Sequence, residues 1–158
     1  KPLAPDGTDT VTFFISTNAG EDLKPLAEIV SSGEAARIML AVKRALMKAD
    51  PVPVLIFDEI DAQIGGRLGT VIGTKLNEVA AHRQVILITH LPQIAAFAQT
   101  HFRITKVVDK GRTKTVVEPI EGKERVHELA HMMAGDKMND VAIKHAKEML
   151  KDAAAGIS

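Results

Sequence analysis

The chain contains no cysteine, no tryptophan and no tyrosine among its 158 residues, and these absences exclude several classes of site. Without cysteine there is neither a disulfide framework nor a thiolate zinc site, which is typical of proteins of reducing compartments. The lack of Trp and Tyr removes most of the aromatic surface on which single-stranded nucleic acids stack. We therefore expect a soluble, intracellular globular domain.

Neither the net charge nor any long hydrophobic run indicates a binding partner or a membrane span. Lys plus Arg and Asp plus Glu both number 20, so the overall charge favours neither nucleic acid nor a membrane surface, although it is compatible with a local patch. No apolar run approaches the roughly 18 residues that a membrane span needs. The first ten residues, "KPLAPDGTDT", lack the apolar core of a signal peptide. We expect no membrane partner.

The sequence predicts one α/β domain with short terminal segments. Residues 1–9, rich in Pro, Gly and Asp, are predicted to be a leader or linker, residues 10–153 a single lobe, and residues 154–158 a tail. Strand–helix–strand alternation through the middle indicates an α/β fold. Strands are predicted at 10–17, 54–57 and 84–90, a hairpin at 102–120, and helices at 33–49, 67–82, 92–99, 123–134 and 137–153.

Two of these segments carry specific packing expectations. "VLIF" at 54–57 has no polar alternation, which predicts a strand covered on both faces, as in a parallel sheet. The first helix is expected to turn one apolar face inward, composed of Ile38, Val42, Ala45 and Leu46.

Polar side chains follow the two apolar strands. Asp58 and Glu59 come directly after "VLIF", and His90 follows "VILIT". In an open parallel sheet, ligands lie beyond the carboxyl ends of the strands. A first carboxylate there can hold Mg²⁺, and a second can orient and deprotonate a water that attacks a phosphate. The simpler alternative is that the acidic pair only begins a solvated loop.

The stretch "VSSGE" at 30–34 precedes the first helix and has two interpretations. Ser31 and Glu34 match a capping box, which stabilises a helix start by about 0.5–2 kcal/mol. Alternatively, Gly33 lets a ligand approach the backbone, and the free N–H groups and dipole of the helix N-terminus bind phosphate.

Taken together, these motifs resemble the second half of an ABC-type ATPase head, and most closely the RecN family of SMC-like bacterial DNA-repair ATPases. "STNAGEDLKPLAEIVSSGEAARIMLAVKRAL" (16–46), "FDEIDAQIGG" (57–66), "ITHLPQIAAFA" (88–98) and "HELAHMMAG" (127–135) carry the resemblance. The serine–glycine stretch is similar to the signature motif, "VLIFDE" to Walker B, Asp61 to the D-loop aspartate and His90 to the switch histidine.

The resemblance implies a fold, a site and partners. The fold would be the C-terminal lobe of an ABC/SMC-type head, a mostly parallel sheet flanked by helices, with a β-hairpin. ATP and Mg²⁺ would be the ligands, with Asp58 on the metal and Glu59 and His90 catalytic. The nucleotide-binding residues would be Ser31, Ser32, Gly33, Glu34 and Asp61. Partners would be an N-terminal half, a second head in a homodimer, and DNA, in the bacterial cytoplasm at the nucleoid.

Two departures from the family pattern stand out. The signature is usually Leu-Ser-Gly-Gly, whereas here Val30 replaces Leu and Ser32 replaces the first Gly. No G-x-x-x-x-G-K-[ST] occurs, since none of the 11 glycines has another five residues on, so the phosphate-cradling Walker A loop is missing. The family places that loop in an N-terminal half beyond a long coiled coil. We therefore expect the chain to be inactive alone.

Two other functions remain open from the residues. "HELAH" at 127–131 matches the H-E-x-x-H zinc-peptidase motif, with His127 and His131 on one helical face and Glu128 as a base. A third ligand at the expected spacing is missing, and the alternative is a surface helix that buries Leu129, Met132 and Met133. The chain could also be a non-catalytic module that docks to another head.

Overall fold

The computed structural model describes residues 7–16, 20–28, 31–109 and 111–156. Most of the expected leader, Val30 of the serine motif, Lys110 at the hairpin turn and the last two residues lie outside these ranges. Within them, no helix is both long and apolar enough to cross a bilayer.

Helices and strands alternate as the sequence predicts. The strands are β1 (Phe14–Ile15), β2 (Lys24–Pro25), β3 (Val54–Phe57), β4 (Gln84–Leu87), β5 (His101–Asp109) and β6 (Arg112–Ile120). The helices are α1 (Ser32–Ala45), α2 (Gly66–Ala80), α3 (Pro92–Ala95), α4 (Gly122–Ala134) and α5 (Asp140–Ala155), with 3-10 turns at Leu26–Glu28 and Gly135–Lys137.

The α/β character is confirmed, but the expectation of a mostly parallel sheet is wrong for the described part of the chain. Its strands form three separate two-stranded sheets, of which only β3–β4 is parallel. α2 provides the crossover that a parallel pair requires. β5 and β6 are joined by a tight turn, with Gly111 at φ 77°, and such a connection permits only antiparallel pairing.

Two cores hold these elements together. The first joins α1, α2 and α3 to the inner face of β3, and its buried members are Leu40, Leu55, Phe57, Ile60, Ile72, Leu76, Val79 and Ile94. The second joins α3 to α4 and α5 through Ala95, Ala96, Leu129, Ala130, Ala146 and Ala153, with Met132 and Met133 packed against it. The apolar positions of α2 recur at helical spacing, which explains its single buried face.

Within the residues that the structure describes, the prediction that β3 is covered on both faces is wrong. Alternate residues of the two parallel strands, Leu55 and Phe57 among them, pack inward, because α1 and α2 cover only one face of the pair. The opposite face exposes Val54, Ile56, Ile86 and Ile88, of which Ile56 is 70% accessible. These four residues are called the open sheet face below.

α3 is shorter than expected and is capped by a distant side chain. The helix ends at Ala95, whereas the sequence predicts it to about residue 99. Nη2 of Arg125, in α4, donates to the carbonyls of Ala95, Ala96 and Ala98 at 3.2, 3.0 and 2.6 Å. These bonds satisfy carbonyls that a longer helix would have paired internally. Burial lowers the pKa of Arg125.

Candidate functional site

The polar residues predicted to follow the two strands leave the sheet at the same edge. β3 and β4 pair in register, with Phe57 opposite Leu87, and the Ile88 N–H donates to the Phe57 carbonyl at 3.0 Å. Because the strands are parallel neighbours, the residues that follow them leave the sheet at the same edge. Asp58 and Glu59 therefore share this edge with His90.

Asp58 is exposed, and no hydrogen bond or ion pair to it is recorded within the described ranges. Its carboxylate is thus available to a cation. No group of three or more His, Asp or Glu side chains that could hold a metal occurs among the described residues. A single free carboxylate fits Mg²⁺, which keeps several waters and binds through one or two carboxylates plus substrate phosphates.

Glu59 has an unusual backbone conformation. Its φ is +57°, in the left-handed region that non-glycine residues seldom adopt, and Gln63 in the same loop has φ +60°. The side chain of Glu59 turns towards α1, where Ser32 Oγ donates to its Oε2 at 2.5 Å. Such backbone conformations persist where surrounding contacts hold them, and they are frequent at functional sites.

The start of α1 differs from the predicted capping box. Ser31 is the N-cap residue, but its side chain makes no capping hydrogen bond, so this prediction is wrong. The helix begins one residue early, at Ser32, and that hydroxyl is engaged by Glu59. Glu34 lies half-buried in the first turn. The N–H groups of the first turn are therefore not capped by the Ser31 side chain, as a phosphate site at a helix N-terminus requires.

Gly33 is buried because the loop after β3 packs directly on α1. A Cβ at this position would lie 2.9 Å from the Cβ of Ala62, 2.9 Å from Nη1 of Arg37 and 3.1 Å from the carbonyl oxygen of Glu59. Gly33 is thus required by a contact within this chain, in addition to any ligand that it admits.

Arg37 is a site residue that the sequence analysis did not identify. Its Nη1 donates to the carbonyls of Ile60 and Ala62, at 3.2 and 3.1 Å, and so ties α1 to the loop that carries Asp58 and Glu59. The only local signal for this role is an arginine four positions after a glycine in a predicted helix. A solvent-exposed arginine can show the same spacing, so the sequence does not distinguish the two.

Asp61 lies in the interior, with 2% of its surface accessible. Its Oδ2 accepts hydrogen bonds from Thr89 Oγ1 at 2.5 Å, from the His90 N–H at 2.8 Å and from the Leu91 N–H at 3.3 Å. Nδ1 of His90 lies 3.0 Å from the same oxygen. Burial by itself raises the pKa of Asp61, but the hydrogen bonds from Thr89 and His90 outweigh it, so the pKa is lowered overall.

The other candidate features lie elsewhere. His127 and His131 are both in α4, and Nε2 of His131 is 4.0 Å from a carboxylate oxygen of Asp136. An open groove of about 430 Å³ lies before β3, beside residues Asp50 and Arg83. Arg83 there donates to Asp50 and to two backbone carbonyls, which makes it a structural ion pair at the far end of the strands.

Comparison with known proteins gives a consistent set of relatives. No family model matches the chain. DNA repair protein RecN of Bacillus subtilis is 45% identical over 151 residues, which is 96% of this chain and 26% of that protein. The proteins of the same name from Treponema pallidum and Streptomyces coelicolor are 44% and 41% identical, over 93% and 96% of this chain and 26% of each protein.

One solved structure, described as concerning ATP-driven dimerization and DNA-stimulated activation of SMC ATPases, covers 83% of each chain with a TM-score of 0.48 and 24% identity. The chain spans about a quarter of the length of the curated relatives that it matches, with 26% coverage in each case above. By its sequence, this chain is similar along more than nine tenths of its length to one segment of RecN proteins.

Proposed function

We propose that the chain is the C-terminal half of the ATPase head of a RecN-like DNA-repair and recombination protein. It is the C-terminal lobe of an ABC/SMC-type head and hydrolyses ATP together with an N-terminal half that supplies the Walker A loop. Two such heads close on ATP as a homodimer, in the bacterial cytoplasm at the nucleoid. The similarity of the chain to a segment of RecN proteins supports this proposal.

The single observation that carries the proposal is the meeting of three groups at one sheet edge. Asp58, Glu59 and His90 follow two parallel strands that pair in register, as expected for the ligand-binding edge of an α/β sheet. The exposed carboxylate of Asp58 would hold Mg²⁺, which neutralises charge on phosphate oxygens when bound. Glu59 would act as general base on the attacking water, and His90 would contact the γ-phosphate.

The start of α1 serves the second nucleotide of the dimer. Ser31, Ser32, Gly33 and Glu34 surround a helix N-terminus without a side-chain cap, which favours a phosphate supplied by the partner head. The Arg37 hydrogen bond and the close packing at Gly33 hold this helix start against the loop of Glu59. The helix start and the loop therefore keep a fixed position relative to each other.

The open sheet face supports the proposal that an N-terminal half packs against this chain. Val54, Ile56, Ile86 and Ile88 form a contiguous apolar surface on a two-stranded sheet, whereas such pairs of parallel strands are normally covered on both faces. The chain covers 26% of the relatives' length, which leaves ample chain to provide that cover. DNA as a partner rests on the similarity to DNA repair proteins and not on charge, because the net charge of the chain is zero.

Two alternatives make different predictions. A module that only docks to another head would tolerate Glu59→Gln without loss of function, whereas half of an ATPase would not. A zinc peptidase built on His127 and His131 would bind stoichiometric zinc, and a His131→Ala variant would lose it; metal analysis of the purified protein measures both.

Reconstitution tests the proposal directly. The chain alone should show negligible ATP turnover, because the Walker A donors are absent from its sequence. Addition of the N-terminal half should restore turnover, and the same mixture made with the Glu59→Gln chain should bind ATP without hydrolysing it. Strong turnover by the chain alone, or a stable mixed complex with no turnover, would overturn the proposal.

A further inference from the structure

The carboxylate of Asp61 is the meeting point of the two loops that carry the proposed catalytic groups. It follows Glu59 closely in the loop after β3, and its Oδ2 accepts from three donors in the turn after β4. The intervening Ile60 is fully buried in the first core, so the loop cannot shift without disturbing that core.

We infer that Asp61 is a positioning residue for His90: it fixes the backbone of the turn after β4 and the orientation of the imidazole ring. This inference rests on the proposed function, in which His90 contacts the γ-phosphate. It gives Asp61 a role inside its own chain in place of a direct contact with nucleotide.

Burial and hydrogen bonding both favour this role. Only 2% of the surface of Asp61 is accessible, and its Oδ2 already faces Thr89 Oγ1, two backbone N–H groups and the His90 ring. A carboxylate removed from water in this way is stable only when such donors compensate for its lost hydration. A nucleotide contact through Oδ2 would have to replace donors that this oxygen already has.

The His90 ring depends on this contact for its orientation. The side chain is 71% accessible, and within the described ranges its 3.0 Å contact with Oδ2 of Asp61 is the one polar contact recorded for the ring. We infer that a neutral imidazole carries its proton on Nδ1, because a lone pair there would be repelled by the carboxylate oxygen 3.0 Å away. Nε2 is then the nitrogen left free, able to accept a proton from water or, when protonated, to donate to a phosphate oxygen.

The first test measures the tautomer of His90 by ¹⁵N NMR of the chain, with a His90→Gln variant to assign the signal among the six histidines. In the wild-type chain the neutral ring should carry its proton on Nδ1. Asp61→Asn should shift the population towards the Nε2-protonated form, because an amide does not demand a donor there.

Thr89→Val is the matched control for this measurement. It removes the hydroxyl that donates to the same oxygen and accepts from the Leu91 N–H, but it changes neither the Asp61 carboxylate nor the imidazole. The tautomer should stay unchanged in this variant. An unchanged tautomer in Asp61→Asn, or equal shifts in both variants, would overturn the inference.

The second test uses the reconstituted head. Asp61→Asn should lower kcat by about 10²-fold or more, which is the size of effect expected when a proton-transferring group is misplaced. ATP affinity should stay within a few-fold of the wild-type value. The Asp61→Asn/His90→Ala double variant should be no slower than His90→Ala alone, because both changes remove the same group. Additive losses, or a loss confined to ATP affinity, would instead indicate a structural or nucleotide-contacting role.

The two tests separate the inference from the function on which it rests. If the wild-type mixture hydrolyses no ATP, the proposed function fails, while the tautomer measurement still decides whether Asp61 orients His90. If hydrolysis is present and the tautomer does not respond, only the role of Asp61 is wrong.

Discussion

Ser32 and Glu59, 27 residues apart in the sequence, are joined by a hydrogen bond from the serine hydroxyl to Oε2 of the carboxylate. Ser32 stands where the signature motif of the family usually has glycine, so this bond depends on the departure from the family pattern. It directs the proposed general base towards α1. The helix start that would receive the partner's nucleotide therefore also holds the group that would activate water.

Ser32→Gly should raise the turnover of the reconstituted head at saturating ATP. A hydrogen bond of this kind contributes about 1 kcal/mol, so release of Glu59 should increase kcat by no more than roughly 5-fold. Steady-state hydrolysis by the wild-type and variant mixtures measures this effect.

Ser31→Ala provides the control for the Ser32 variant. It deletes the neighbouring hydroxyl, which makes no capping hydrogen bond, and should weaken ATP-driven head association instead of raising turnover. Equal effects of the two variants would show that the Ser32–Glu59 contact has no specific part in hydrolysis.

Glu59→Gln should abolish most hydrolysis while ATP binding persists, because it keeps the shape of the side chain and removes its basicity. A positioned general base contributes typically about 10²–10⁴-fold, and a loss of that size is expected in single-turnover measurements. The variant should also accumulate ATP-bound dimers, detectable by size-exclusion chromatography. Hydrolysis at the wild-type rate would exclude Glu59 as the base.

Asp58→Ala should behave differently from Glu59→Gln. Since the exposed carboxylate of Asp58 is assigned to Mg²⁺, its loss should weaken the Mg²⁺-dependent part of ATP binding itself. Titration of ATP with and without Mg²⁺ measures this directly. An Asp58→Ala head that binds Mg-ATP normally would move the metal assignment to another group.

Gly33→Ala should destabilise the chain by about 1–3 kcal/mol, the usual cost of overpacking a close contact. The added methyl would lie 2.9 Å from the Cβ of Ala62 and 3.1 Å from the Glu59 carbonyl, neither of which can move freely. Gly65→Ala is the control, since a Cβ there meets nothing within 4 Å. Urea denaturation of both variants gives the difference, and similar midpoints would contradict the packing seen at Gly33.

His101 should make the stability of the chain depend on pH. Burial lowers the pKa of this residue below 6.5, the nearby positive charge of Arg125 lowers it further, and Glu128 opposes both effects. The unfolded chain therefore binds the proton more readily, so stability is complete above about pH 6.5 and falls as the pH drops below it. Urea midpoints between pH 7.5 and 5 should show this loss.

A His101→Phe variant should reduce that dependence, because an apolar ring takes no proton and leaves no buried nitrogen without a partner. Replacement of the exposed His145 by Gln is the control and should leave the pH dependence as it is. If the slopes of the wild-type chain and His101→Phe coincide, another group causes the acid sensitivity.

The sequence by itself predicted most of the elements and which polar residues follow the two apolar strands. The order of the elements from β3 onward and the exit of Asp58, Glu59 and His90 at one edge agree with the expectations, whereas β2 was not expected and the pairing of β3 with β4 had been left open. These features follow from apolar runs and from βα alternation, which are local properties of the chain. Leu129, with Met132 and Met133 beside it, also lies in the core as its helical spacing predicts.

Only the tertiary structure decided which faces are covered and which side chains meet. Leu40 is buried in α1, while Leu46 on the expected inner face is 49% accessible, because α2 and the β3–β4 sheet pack on a different side of the helix. The open sheet face likewise depends on what else is present to cover it. For α1 and β3 the pattern of apolar residues did not distinguish these outcomes, because they depend on which elements pack against each face.

The contacts that assemble the site could not be predicted from the sequence either. Ser32 bonds to Glu59, Arg37 to the Ile60 and Ala62 carbonyls, and Asp61 to the turn after β4, each across more than twenty residues. Locally, Ser32 belongs to a predicted helix start, Arg37 matches a solvated charge and Asp61 a loop residue. Their actual partners were set by the packing of α1 and the two strand-end loops against a shared core, since a side-chain hydrogen bond forms only where the fold brings donor and acceptor within about 3 Å.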